Sequence, residues 1–120
     1  MRVAFVGFHY SRKPFVQRLV RRVATCDIHT PLLIVAVDDG HAGTWALEAA
    51  NKLRVPTFTV PNSPAPGCFS RLLWGISGGR NGRLAGMTDL AFIFDDGDPQ
   101  TVDAKHRLAL AGRRVKVLHW

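Results

Sequence analysis

Residues 90–118, LAFIFDDGDPQTVDAKHRLALAGRRVKVL, contain a complete strand, helix and strand pattern that decides the fold class. LAFIF (90–94) and VKVL (115–118) are short, nearly continuous apolar runs, which is typical of strands covered on both faces. Between them an apolar stripe predicts a helix from about 101 to 111, and Gly112 suits the left-handed position after its end. This order favours two parallel strands joined by a right-handed crossover.

The same alternation extends over the rest of the chain. Three further apolar runs predict strands, namely VAFVG (3–7), LLIVAV (32–37) and TFTV (57–60). Apolar stripes of helical spacing lie between the strands and consist of Phe15, Val16, Leu19, Val20 and Val23, then Ala46, Ala49, Ala50 and Leu53, then Phe69, Leu72, Leu73 and Ile76. The prediction is one α/β domain over residues 1–120, a doubly wound, Rossmann-like sheet of five parallel strands in the order 3-2-1-4-5.

Composition limits the classes of partner. The chain has 120 residues, of which 47% are hydrophobic, so it can form one core, and its formal net charge of +7 favours anionic partners. The longest apolar runs, such as PLLIVAV (31–37), are too short to span a bilayer, and the N-terminus lacks the order of a secretory signal. A cytoplasmic protein with no membrane partner is expected.

Cysteine and histidine spacing predicts neither a metal site nor a cofactor. Cys26 and Cys68 lack the CxxC spacing of a zinc or redox site, which favours reduced structural thiols over a disulfide. The five histidines do not pair at metal-ligand spacing with another histidine or a cysteine.

The loops that follow the predicted strands are the candidate ligand site, because they share the carboxyl edge of a doubly wound sheet. These loops are GFHYSRK (7–13), DDGHAGT (38–44), PNSPAPG (61–67) and DDGDPQT (95–101). GGRN (78–81) begins a short helix predicted from about 81 to 87. The amides at that N-terminus, with Arg80 beside them, predict an anion site.

Each candidate residue also has a structural alternative. The functional roles are phosphate contact for the glycines and Arg80, stacking on a base for loop aromatics, and contact with ribose hydroxyls or a cation for the aspartates. The structural alternatives are a tight turn for Gly40 and Gly43, a solvated cation for Arg80, a helix cap for Asn81 and Asp98, a strand end for Asp95 and Asp96, and a surface turn for His9 and Tyr10.

Four passages together resemble the Rossmann-like SLOG superfamily, which includes the DprA/Smf DNA-processing proteins and the LOG-type phosphoribohydrolases. VGF (6–8) is similar to the end of its first strand, and DDGHAGTWALEAA (38–50) to its glycine-rich turn. GGRNGRLAGMTDLAFIF (78–94) looks like its RN-containing helix and next strand, and residues 95–120 resemble its closing loop, helix and strand. The resemblance covers nearly the whole chain and is closest to small single-domain members.

Two departures bear on the chemistry that this resemblance implies. Trp45 stands where the family usually has the aspartate of the second loop, so one polar ligand contact is missing. The glutamate of the LOG motif PGGxGTxxE has no counterpart in DDGDPQTVDA (95–104). Asp103 is the nearest substitute, although its carboxylate is one methylene shorter and has to be repositioned to act as an acid or base.

The loops and the resemblance together predict one ligand-binding crevice, while no catalytic residue is assigned. Its predicted residues are Gly7, Phe8, His9, Ser11, Asp39, Gly40, His41, Ala42, Gly43, Thr44, Gly79, Arg80, Asn81, Asp96, Gly97 and Thr101.

Three functions remain open. The first is binding of a nucleotide or nucleotide-derived signalling ligand in that crevice. The second is DprA-like nucleic-acid binding, which the positive charge favours, although the arginines are dispersed in the sequence without aromatic interleaving: Arg18, Arg21, Arg22, Arg71, Arg113 and Arg114. The third is LOG-type hydrolysis of a nucleotide N-glycoside. A homo-oligomer is also expected, because one small domain has little surface on which to bury Phe69, Leu73 and Trp74.

Overall fold

The computed structural model describes residues 1–9, 12–26, 31–37, 40–60, 67, 72 and 79–118. In these residues five parallel strands form one sheet in the order β3-β2-β1-β4-β5. The strands are β1 (Arg2–Val6), β2 (Leu33–Val37), β3 (Thr57–Val60), β4 (Leu90–Phe94) and β5 (Arg114–Leu118). The predicted fold class and strand order are confirmed.

Four helices are present in the described residues: α1 (Lys13–Cys26), α2 (His41–Lys52), α3 (Gly79–Gly86) and α4 (Pro99–Leu110). Bounds were predicted for α3 and α4, and the observed ends of both helices lie within about two residues of the predicted ones. None of these helices has the length and apolar character that a membrane span requires. Several predictions fall outside the described residues, namely those on Tyr10, Ser11, Asp39, Cys68, Phe69, Arg71, Leu73, Trp74 and Ile76, and the side chain of Cys26.

The helices form two layers because alternate residues of each strand point to opposite faces of the sheet. One layer, α1 and α2, packs on Val3, Phe5, Ile34, Phe92 and Phe94. The other layer, α3 and α4, packs on a second set, which includes Ala4, Val6, Val35, Val37 and Ile93. Both faces of the central strands are therefore buried, as their continuous apolar runs predict.

Four residues of the predicted apolar stripes lie further out than expected, and one of them, Leu72, is 59% exposed. Phe15 is 37% exposed because it lies in the first turn of α1, where it contacts Phe94 edge to face. Leu53 and Ala111 are exposed because they are the C-caps of α2 and α4. Gly112 has φ +70°, which confirms the predicted left-handed position after α4.

An ion pair joins the start of β1 to the start of β4. Arg2 Nη2 lies 3.1 Å from Asp89 Oδ1, and the Arg2 backbone amide donates to Asp89 Oδ2 at 2.8 Å. These hydrogen bonds from Arg2 lower the pKa of Asp89 to about 2. The two side chains are 40% and 42% exposed, so solvent screens much of the interaction.

We expect Asp89→Asn to remove part of the acid sensitivity of folding. Because the pKa of Asp89 is lower in the folded chain than in the unfolded chain, its contribution to stability is present above about pH 4 and is lost as the pH falls toward about 2. Denaturant unfolding followed over that range should show a difference between parent and variant that shrinks as the pH falls. A difference that stays constant from pH 5 to pH 2 would contradict this role of Asp89.

Candidate nucleotide-binding edge

The candidate site lies at the carboxyl edge of the sheet, where the turn after β1 meets the start of α2. Gly40 is the N-cap of α2 and offers no side chain to its free amides. The turn after β1 supplies acceptors instead, since Ala42 N donates to Gly7 O at 2.9 Å and His41 N donates to Phe8 O at 3.5 Å. These two amides of α2 are therefore bonded to the protein itself.

Both glycines at the start of α2 have packing roles. A Cβ built on Gly43 would lie 2.6 Å from Val37 O, closer than real contacts allow, and one built on Gly40 would lie 3.2 Å from Phe8 Cδ1. Glycine at these positions lets α2 approach the ends of β1 and β2 closely. A ligand contact by either residue stays a prediction.

Phe8 lies where the predicted loop that contains Gly40 meets the GGRN segment (78–81) that contains Arg80. Phe8 occupies the space that a Cβ at Gly40 would need, and its ring lies under the Arg80 guanidinium, with 4.8 Å between Arg80 Cζ and the ring centroid. Arg80 Nη2 donates to Gln100 Oε1 at 3.1 Å. The turn after β1, the start of α2 and the start of α3 thus converge on one buried aromatic ring.

Asn81 joins α3 to α4 and is the third residue of α3, so it is not the N-cap of that helix. It is 3% exposed, and its Nδ2 donates to Asp103 Oδ2 at 2.8 Å and to Gln100 Oε1 at 3.2 Å. Its Oδ1 is a buried atom for which the described residues provide no hydrogen-bond partner.

Asp103 is held as an ionised carboxylate. The hydrogen bond from Asn81 is the largest cause that lowers its pKa, and Arg107 Nε, 3.1 Å from Oδ2, acts in the same direction. A carboxylate with a lowered pKa is a poor general acid at neutral pH. Its two partners also direct Oδ2 toward α3 and along α4.

Asp96 accepts hydrogen bonds within the protein at both carboxylate oxygens. His9 N donates to Oδ2 at 2.6 Å, and Asp98 N donates to Oδ1 at 3.1 Å. Burial acts to raise the pKa of Asp96, but these bonds and one from Thr101 outweigh it, so the pKa lies below its ordinary value. Thr101 also accepts from Phe8 N at 3.3 Å, which ties the turn after β1 to α4.

Asp98 caps α4 and also binds His9. Its Oδ1 accepts from Gln100 N at 2.7 Å, so the predicted cap is present, and its Oδ2 lies 2.7 Å from His9 Nε2. The His9 side chain is 71% exposed beyond this contact. Gly97, between the two aspartates, has φ +75° and open space around it.

An aromatic row crosses this edge from the turn after β1 to α2. The rings of His9 and His41 are 6.3 Å apart in a T-shaped arrangement, and those of His41 and Trp45 are 5.4 Å apart. We call His9, His41 and Trp45 the aromatic row. Sequence reasoning treated Trp45 only as a missing aspartate, although the i, i+4 spacing of His41 and Trp45 on a helix indicates a shared face.

The described members of the predicted crevice lie close to Phe8 along this edge, but they differ in what they can offer a ligand. Ala42 is fully buried and its amide is bonded to Gly7 O, so it presents neither side chain nor amide. Thr44 is exposed in the first turn of α2. His9 and His41 are exposed as well, and Arg80 is half-buried.

Comparison with known proteins gives a structural likeness. No family model matches the chain, and no curated protein matches its sequence. Among solved structures, the DNA processing protein A (DprA) from Streptococcus pneumoniae is similar, with a TM-score of 0.71 and 17% sequence identity. The match covers 97% of this chain and 49% of that protein, so the chain spans about half the length of DprA. At this identity the likeness concerns the fold, and it shows that the chain has the Rossmann-like fold found in DprA.

Proposed function

We propose that the chain binds a nucleotide or a nucleotide-derived ligand at the carboxyl edge, against Phe8, Arg80 and the aromatic row. The observation that carries the proposal is the convergence of a guanidinium and a row of partly exposed rings on one turn. A guanidinium binds phosphate through two parallel hydrogen bonds, and aromatic rings stack on bases. The edge therefore offers both halves of a nucleotide a complementary surface.

The remaining residues hold this surface in place. Asp96 fixes the backbone of His9, Asp98 orients its imidazole, and Gln100 positions the Arg80 guanidinium. Because both oxygens of Asp96 already accept hydrogen bonds, we assign it to the support of His9 rather than to ribose hydroxyls. Asp96→Asn should thus change nucleotide affinity less than a change at Arg80.

We expect Arg80→Ala to weaken mononucleotide binding by about 1.5 to 3 kcal/mol, the usual range for a hydrogen bond to a charged group. Isothermal titration calorimetry with mononucleotides, cyclic dinucleotides and ADP-ribose would measure the effect. Arg80→Lys should restore only part of the affinity, because an ammonium lacks the planar fork of a guanidinium. Arg83→Ala, an exposed change on the same helix, is the matched control.

Thermal unfolding of the Arg80 variant should remain close to that of the parent, because its side chain lies outside the core. If Arg80→Ala bound each of these ligands as tightly as the parent, the proposed site would be wrong. Equal losses for Arg80→Ala and Arg83→Ala would point to net charge alone and would also contradict it.

Nucleic-acid binding is the second candidate function. The fold likeness to a DNA processing protein and the formal net charge of +7 favour it. Salt separates the two candidates, because the affinity for a single strand falls by about 0.7 log units per log unit of salt for each phosphate that is neutralised. A shallow slope supports the small ligand.

LOG-type hydrolysis has less support than either. The carboxylate that would replace the missing glutamate, Asp103, is engaged by Asn81 and Arg107 and keeps a lowered pKa. Association into a homo-oligomer stays a prediction from sequence.

A further inference from the structure

The sheet has two edge strands, and they differ in charge. β5 forms one edge and carries Arg114 and Lys116, which are both exposed. β3 forms the other edge, and its sequence TFTV (57–60) contains no charged residue. Charged side chains, lysine above all, protect an edge strand from pairing with another chain. The β5 edge is therefore protected by charge, and the β3 edge is not.

The outer side of β3 presents the backbone groups of two threonines. Ile34 N donates to Pro56 O at 3.0 Å, and Ile34 is the register partner of Thr57. Because successive residues of a strand direct their amide and carbonyl groups to alternate sides, Phe58 faces β2 as Pro56 does. Thr57 and Thr59 therefore direct their backbone groups away from the sheet. In the described part of the chain, neither threonine has a backbone hydrogen bond on that side.

These backbone groups fit a second copy of the same strand in antiparallel orientation. With a two-fold axis at Phe58, Thr57 lies opposite Thr59 of the second copy, and every outward amide and carbonyl of both threonines is paired. One neighbouring register brings Thr59 opposite Val55, whose amide is already bonded to α2 at 2.9 Å. The other brings Thr57 opposite Pro61, which has no N–H. The register centred on Phe58 is therefore favoured.

The same axis places the two Phe58 side chains next to each other. Residues directly opposite each other between the hydrogen-bonded pairs have Cα atoms about 4.5 Å apart, and aromatic pairs at this spacing stabilise a sheet. Phe58 is 37% exposed, and it points to the same face as Val60, which packs into the layer of α3 and α4. The pairing thus covers an aromatic ring that the single chain leaves partly exposed.

Charge also favours β3 as the edge at which two copies meet. Each copy has a formal net charge of +7, so a contact that brings cations together is unfavourable. A contact through β5 would bring Arg114 and Lys116 of both copies together. Before β3 the nearest cation in the sequence is Arg54, four residues from Phe58. The antiparallel orientation places the two copies of Arg54 at opposite ends of the contact.

We propose that the chain forms a symmetric dimer through the outer edge of β3, which joins two sheets into one continuous sheet. This surface differs from the one that the sequence predicts, which consists of Phe69, Leu73 and Trp74. The contact is small, so we expect a weak dimer with a Kd on the order of 10 to 100 µM. Pro56 and Pro61 flank the strand and keep the pairing from extending beyond it.

The dimer and the nucleotide-binding edge are independent proposals. The dimer is built from the outer side of β3, whereas the nucleotide-binding edge is built from Phe8, Arg80 and the aromatic row. In an antiparallel dimer the carboxyl edges of the two sheets point in opposite directions, so the two candidate nucleotide sites lie at opposite ends. Changes at Phe58 should leave mononucleotide binding intact, and Arg80→Ala should leave the dimer intact.

The test is sedimentation velocity of the full chain at concentrations from about 1 to 200 µM, which spans the expected Kd. Phe58→Lys places two like charges on the axis and should raise the Kd of the dimer at least about tenfold. Val102→Lys is the matched control, because Val102 is 55% exposed on α4, which packs against β4 and β5. Its Kd should stay within about threefold of the parent.

Thr59→Pro tests the backbone contact, because proline removes an outward N–H and is tolerated where the N–H of an edge strand faces solvent. It should weaken the dimer while circular dichroism and thermal unfolding show a folded chain.

Cross-linking tests the register. In a chain that carries Cys26→Ala and Cys68→Ala, Phe58→Cys should form a disulfide-linked dimer when oxidised with copper phenanthroline, because the Cα spacing on the axis suits a disulfide. Val102→Cys in the same chain should remain monomeric. A parent that is monomeric at 200 µM, on the order of twice the highest expected Kd, would overturn the proposal. A dimer that persists unchanged in Phe58→Lys and Thr59→Pro would also overturn it, and so would species larger than a dimer that grow with concentration.

Discussion

We expect Gly43→Ala to destabilise the fold by at least about 2 kcal/mol, whereas Gly86→Ala should leave it unchanged or stabilise it by up to about 1 kcal/mol. Both variants add one methyl group to a helical glycine. At Gly43 the new Cβ would lie 2.6 Å from Val37 O and 3.3 Å from Ala36 Cβ, while at Gly86 nothing lies within 4 Å. The surroundings of the methyl group, rather than helix propensity, should determine whether each variant is less or more stable than the parent.

The loss at Gly43 arises because the obstructing atom belongs to the backbone of a buried strand and cannot rotate away. To admit a Cβ, α2 has to move outward, which stretches the bond from Ala42 N to Gly7 O. Gly43→Val should be still less stable. Equilibrium unfolding in urea, followed by circular dichroism, measures the change.

Similar stabilities for the two alanine variants would contradict the close approach of α2 to β2. The result also decides how binding data on Gly43 variants are interpreted. If the variant is largely unfolded, a loss of nucleotide binding reports on folding and not on a phosphate contact.

The fold could be predicted because its strands coincide with short apolar runs in the sequence. TFTV (57–60) and LAFIF (90–94) match β3 and β4 residue for residue. The alternation with one-sided helices then fixed a parallel sheet and its strand order. The position of Phe15 was less predictable, because periodicity assigns it to a buried stripe and does not show that the first turn of α1 lies over Phe94 at the end of β4.

The position of the candidate site could be predicted from the sequence, but the contacts among its residues could not. Because the loops after parallel strands share the carboxyl edge of the sheet, the sequence predicted that Phe8, His9, Gly40 and Arg80 lie at one edge. It could not show that Asp96 is bonded to His9, because that bond joins residues 87 positions apart.

We expect Phe5→Ala to lose about 3 to 5 kcal/mol of stability, the range for removing a large buried aromatic side chain. Phe5 is fully buried in the central strand of the sheet, with its ring 5.3 Å from Phe92 and 6.5 Å from Phe94 between centroids. These stacked rings join β1 to β4 beneath α1. Their neighbours are strands and helices that cannot collapse fully into the space the ring leaves, so the cost includes a cavity as well as lost apolar burial.

Phe58→Ala is the control, because Phe58 is 37% exposed on the edge strand β3 and should lose no more than about 1 kcal/mol. Phe5→Leu, which keeps most of the volume, should fall between the two. Urea unfolding measures all three variants under one condition. Comparable losses for Phe5→Ala and Phe58→Ala would contradict the close packing of the Phe5, Phe92 and Phe94 rings beneath α1.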